Sequence, residues 1–86
     1  MQGRELVGRN IRRIRVDQNI SQERLAFDSG VDRSYLGGIE RGEENPTVDV
    51  LDRIAGILAI EIRELFESVD DIEISSGLPR GRKKSD

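Results

Sequence analysis

Cysteine, histidine and tryptophan are absent from this chain of 86 residues, and it holds only three aromatic side chains (Phe27, Tyr35 and Phe66) and two prolines. Without cysteine there is no disulfide framework and no thiolate metal site. Without histidine there is no imidazole for proton transfer or metal ligation, the commonest means of catalysis near neutral pH. Asp and Glu are plentiful but scattered through helical patterns, where they read as solvated faces. The expectation is a protein with no catalytic residues, no cofactor and no metal. Three dispersed aromatics supply no stacking platform for single-stranded nucleic acid. No apolar run approaches the ~18 residues of a membrane span, and the N-terminus lacks the charged-then-apolar layout of a signal peptide. A cytoplasmic protein without membrane contact is expected.

Charge is unevenly spread. The formal net charge is −3, but residues 1–41 carry eight Arg against six acids, residues 42–76 two Arg against ten acids, and residues 77–86 four basic residues against one acid. Net charge bears on solubility and non-specific association, whereas its distribution says where a polyanion can dock. Any nucleic-acid face therefore belongs to the first half or to the C-terminal tail.

Apolar spacing predicts helices. Val7, Ile11 and Ile14 share one face from Glu5 to Gln18, with Arg9, Arg12 and Arg13 opposite. Asn19 reads as a stop and Ser21 as an N-cap. A short helix from Gln22 turns Leu25 and Ala26 inward, and Gly30 supplies a residue free to take φ > 0 at its end. Asp32 caps the next helix, which Gly42 ends. After the loop Glu43–Pro46, Thr47 caps a helix in which Val48, Leu51, Ile54, Ala55 and Leu58 follow a 3-4-3 rhythm, the strongest helical signal in the chain. A last short helix is expected from Glu61 to Ser68. The fold class that follows is all-α, with five helices in one domain over residues 1–69. Residues 70–86, acidic and then basic, read as a disordered tail, with the Ile72–Ile74 alternation as a possible short strand in a dimer.

The stretch SQERLAFDSGVDRSYLGGIERG, about residues 21–42, is helix, tight turn, helix. A helix-turn-helix needs a small residue at the close crossing, a residue tolerant of φ > 0 in the turn, and apolar anchors behind the second helix. Ala26, Gly30, Leu36 and Ile39 meet those needs. The outward face of the second helix is then Arg33, Ser34, Gly37, Gly38 and Arg41, and in this motif the N-terminal part of that helix enters the major groove. Two readings of the paired glycines stay open. Either they let the helix axis approach the bases closely, or they are tolerated because Leu36 and Ile39 anchor the helix regardless.

IRRIR, ISQERLA, SGV, IERG, NPT and ELF, taken together, resemble the Cro/repressor-type helix-turn-helix proteins, the XRE family of transcriptional regulators, from about Leu6 to Phe66. DRSYLGGIERG is similar to the recognition segment of restriction–modification controller proteins. The resemblance implies a lambda-repressor-like domain of five helices, acting as a homodimer on a two-fold symmetric operator in double-stranded DNA. By matching positions it implies a phosphate or base contact for Gln22, base contacts for Arg33 and Ser34, a sugar–phosphate contact for Tyr35, and a structural ion pair between Arg15 and Glu40. The loop departs from the pattern: Glu43 and Glu44 stand where cations often bind phosphate, which leaves Asn45 or nearby backbone amides for that contact. Ile62 and Leu65 are the expected dimer-interface residues, and Ile57 is read as interface or core. Arg9, Arg12 and Arg13 are a solvated face or phosphate contacts, and the RGRKK tail is a non-specific DNA contact or a solubilising end. The alternatives carried forward are a restriction–modification controller and, from another class, an antitoxin-like module that binds a protein partner.

Overall fold

Short polar side chains open three of the helices. Ser21 Oγ accepts from the Arg24 N–H at 2.9 Å, Asp32 Oδ2 from the Tyr35 N–H at 3.2 Å, and Thr47 Oγ1 from the Val50 N–H at 3.1 Å. Each satisfies one of the backbone donors that a helix start leaves unpaired. In the computed structural model, which describes residues 2–68, the elements are α1 (Gly3–Asp17), α2 (Gln22–Ser29), α3 (Arg33–Glu40), α4 (Val48–Leu58) and a 3-10 turn at Ile62–Phe66. Among the described residues there is no strand, and no helix is long and apolar enough to cross a membrane. The tail from residue 70 onward, with the Ile72–Ile74 alternation, lies outside the described residues.

The count of helices differs from expectation. Four are α-helical, and the fifth element is the 3-10 turn. Its start is closed locally, with Glu64 Oε2 accepting from the Glu61 N–H at 2.9 Å. Its end is taken from α1: Asn10 Nδ2 donates to the carbonyls of Leu65 at 2.8 Å and Glu67 at 2.9 Å. A carbonyl held by a buried side chain has less need of a further helical turn, and Glu67 is already extended.

The core is one cluster: Val7, Ile11 and Ile14 from α1, Leu25 and Ala26 from α2, Val31 from the turn, Leu36 and Ile39 from α3, Leu51, Ile54, Ala55 and Leu58 from α4, and Leu65. Each large side chain buried there contributes about 1.5–3 kcal/mol. Leu65, expected at a dimer interface, is instead part of this core with 0% exposure. The turn that carries it lies on α1 and α4, so Leu65 faces inward and offers no surface to a second protomer. Ile62 is half-buried on the same cluster.

α1 and α3 approach each other closely at Gly8. A β-carbon there would run into the carbonyl oxygen of Ile39 and stand 2.9 Å from that of Glu40. The absent side chain lets α1 lie on the backbone of α3, which fixes the pose of the helix whose outer face carries the candidate site.

Candidate nucleic-acid interface

The turn between α2 and α3 is built as the motif requires. Gly30 closes α2 at φ 72°, in the left-handed region that glycine enters without steric cost. The Val31 N–H donates to the Ala26 carbonyl at 2.9 Å, and Val31 drops into the core. Leu36 and Ile39, both at 0% exposure, fasten α3 from behind. Arg33 and Ser34 are exposed in its first turn and Arg41 at its end, while Tyr35 is half-buried against the core.

Behind that surface a hydrogen-bonded relay runs through three helices. Arg15 Nε donates to Glu40 Oε2 at 2.7 Å and Arg15 Nη2 to Glu40 Oε1 at 3.0 Å, a bidentate pair with side-chain exposures of 12% and 2%. Arg15 Nη1 donates to the Ile20 carbonyl at 2.8 Å, which ties down the chain after α1. Glu40 Oε1 also accepts from Gln22 Nε2 at 2.9 Å, and Gln22 Oε1 accepts from Arg33 Nη1 at 3.1 Å. A carboxylate only accepts, so Glu40 takes the donor end of the Gln22 amide and leaves its carbonyl oxygen for Arg33. The buried ion pair thereby sets the direction of the exposed guanidinium.

The paired glycines are not open, as their outward placement led one to expect. Both are buried. A β-carbon at Gly37 would stand 3.2 Å from Arg41 Nη1 and 3.6 Å from Gln22 Oε1, and one at Gly38 would stand 2.7 Å from Glu44 Cγ. They lie on the two flanks of the outer face, where side chains from α2, from the end of α3 and from the following loop fold across them.

That loop is fastened to α3 by the Glu43 N–H, which donates to the Gly38 carbonyl at 2.9 Å. Gly42 turns the chain at φ 78° against Glu5 of α1. Glu43 Oε1 lies 3.1 Å from Arg41 Nη2, and this hydrogen-bonded carboxylate raises the Arg41 pKa further above its ordinary value, with a smaller push from Glu44. Arg41 thus remains a fixed cation beside the outer face. Arg41 shares a cleft with Glu5, Arg9 and Glu40, which places exposed Arg9 at the same end of α3. Arg13 is engaged otherwise: its Nη2 donates to Asn10 Oδ1 at 3.4 Å and lies 3.9 Å from Glu67 Oε1. Arg12 is exposed.

The structure therefore brings Gln22, Arg33, Gly37, Gly38 and Arg41 to one face with the Arg15–Glu40 pair beneath it, and Ser34 and Tyr35 belong to the same helix. Asn45 is exposed and lines a groove of about 290 Å³ with Gly3, Arg4, Pro46, Val48 and Phe66. Three features had no reading in the sequence: the Gln22–Glu40 bond, the anchoring role of Asn10, and the close crossing at Gly8. For Gly8 a signal existed, since a lone glycine inside an amphipathic helix suggests a packing reason.

A surface of exposed cations on a helix fastened behind a tight turn defines a DNA-binding module. The family model of helix-turn-helix proteins matches residues 11–65, and the chain belongs to that family, as a DNA-binding transcription regulator of XRE type. It stands close to the restriction–modification control proteins. Control protein C.BamHI of Bacillus amyloliquefaciens is 37% identical over 65 residues, 74% of this chain and 80% of that protein. The crystal structure of the restriction–modification controller protein C.AhdI from Aeromonas hydrophila has 46% sequence identity and a TM-score of 0.71, covering 73% of this chain and 96% of that one. The structure of C.Esp1396I bound to a 25 base pair operator site has 33% identity and a TM-score of 0.69, covering 77% of this chain and 87% of that one.

Proposed function

We propose that this chain regulates transcription as a homodimer that lays the two copies of α3 into successive major grooves of a two-fold symmetric operator, in the manner of a restriction–modification controller. The observation that carries it is Arg33, exposed in the first turn of α3 and aimed by Gln22 Oε1 at 3.1 Å. An arginine so placed is suited to the O6 and N7 of guanine, to which it bonds bidentately. Ser34 adds a base or phosphate contact, Tyr35 a sugar–phosphate contact, and Arg41 and Arg9 phosphate contacts at the far end of the helix. The action is binding rather than catalysis, and its setting is the cytoplasm.

Two copies are needed because one helix of eight residues reads too few base pairs for useful discrimination. The surface we assign to dimerisation is built on half-buried Ile62 and on Phe66 and Val48, which are 49% and 64% exposed and line the groove beside the 3-10 turn. A dimer of this kind spaces its recognition helices about 34 Å apart, one turn of DNA.

Selection of bound fragments from random duplex DNA tests the proposal. The expected result is an inverted repeat with half-sites about 10 base pairs apart, centre to centre, and sedimentation of a dimer on it. Enrichment of no sequence, or a monomer at micromolar concentration with and without DNA, overturns it.

A further inference from the structure

Glu43 and Glu44 follow the recognition helix, where a polyanion calls for cations. The fold treats the two acids differently. Glu43 is neutralised by Arg41 at 3.1 Å. Glu44 makes no ion pair within 4 Å among the described residues and acts on Arg41 only from farther off, and its side chain lies along α3 at Gly38. A β-carbon at position 38 would stand 2.7 Å from Glu44 Cγ and 3.1 Å from Glu44 Oε2, so any larger residue there pushes this flexible side chain off the helix. The bond from the Glu43 N–H to the Gly38 carbonyl holds the loop in that position. Gly38 flanks the outer face on the side opposite to Gln22, next to Ser34 and Arg41 and away from Leu36 and Ile39.

We propose that Glu44 is a specificity-determining residue, a carboxylate seated on the recognition helix that accepts a hydrogen bond from the N4 amino group of a cytosine in the operator. It rests on α3 being the groove-facing helix, as proposed above. In the major groove cytosine N4 and adenine N6 are donors, whereas guanine N7 and O6 and thymine O4 are acceptors. A carboxylate only accepts. Opposite an acceptor edge or a phosphate it is repelled; opposite cytosine it forms a charge-assisted bond with a donor. Glu44 therefore weakens binding to every duplex and returns that loss only on the right one. Discrimination grows by raising the free energy of wrong complexes, a means distinct from the attractive contact of Arg33. The glycine at 38 leaves the carboxylate its present seat against the helix.

The test compares the full chain with Glu44→Gln and Gly38→Ala by fluorescence anisotropy, on the duplex selected by the unaltered protein and on a random-sequence duplex of equal length, with circular dichroism to verify folding. For Glu44→Gln the random duplex should tighten about tenfold and the selected duplex less, so that the specificity ratio falls by about five- to tenfold. Repeated selection with this variant should lose the preference at one cytosine per half-site. Gly38→Ala keeps the charge but displaces the carboxylate, and should lose preference at the same cytosine. Equal tightening on both duplexes, no change on either, or retention of the cytosine preference by folded Gly38→Ala overturns the assignment of Glu44. If the unaltered protein selects no sequence, the placement of α3 falls and this assignment with it; if it selects one and the ratio does not move, only Glu44 is removed.

Discussion

Replacing Glu40 by alanine should unfold much of the protein, although Glu40 lies at the end of the helix we assign to the DNA groove. The carboxylate accepts three hydrogen bonds, from Arg15 Nε, Arg15 Nη2 and Gln22 Nε2. In Glu40→Ala the Arg15 guanidinium, its side chain 12% exposed, keeps a single partner, the Ile20 carbonyl. Leaving one member of a buried pair uncompensated costs about 3–5 kcal/mol. At roughly 0.05–0.15 kcal/mol per residue, a domain of this size holds only about 3–10 kcal/mol in all. The melting temperature should fall by roughly 12–40 °C, read by circular dichroism at 222 nm, roughly the helix minimum. The double variant Arg15→Met with Glu40→Leu should recover most of that loss, because a buried pair exchanged for apolar groups of similar volume is often neutral or better. It should not recover operator affinity, since Gln22 then has no acceptor and Arg33 loses its orientation. A Glu40→Ala melting temperature within about 4 °C of the original refutes the reasoning, because the pair would then be screened by water rather than buried.

Gly8→Ala should destabilise by about 1–3 kcal/mol in chemical denaturation, with the clash on the α3 backbone outweighing the better helix former. Gly56→Ala, where a β-carbon meets open space inside α4, should stabilise by about 1 kcal/mol on the same measurement, and a loss there would show that α4 needs the glycine. Asn10→Ala should cost about 1–3 kcal/mol, since it strips the buried Leu65 carbonyl and the part-buried Glu67 carbonyl of their donor, and it should raise amide exchange of the 3-10 turn before that of α3. Arg33→Ala should leave the melting temperature unchanged and weaken operator binding by about 1–3 kcal/mol, relaxing selection at one base per half-site; equal weakening on all sequences would make Arg33 a phosphate contact.

The sequence by itself determined the four α-helical segments and the apolar stripe by which each is anchored. Ser21, Asp32 and Thr47 cap from within three residues, and Leu36 with Ile39 or Leu51 with Ile54 repeat at the period of one helix, so both signals are local and need no partner. The Arg15–Glu40 pair was reached through a family resemblance, since nothing in the spacing of 25 residues predicts a contact. Tertiary structure alone decided three matters. Asn10 ties down the end of the last element, a 3-10 turn with Leu65 in the core, because its amide reaches carbonyls more than 50 residues away. Gly8 sets how near α1 comes to α3, since only the partner backbone says what a methyl group there would strike. The two glycines of α3 were placed outward by helical period, yet side chains from α2, from the end of α3 and from the next loop cover them. Helical period says where a residue points; which neighbours fold over it depends on contacts made across turns, and those exist only once the chain has packed.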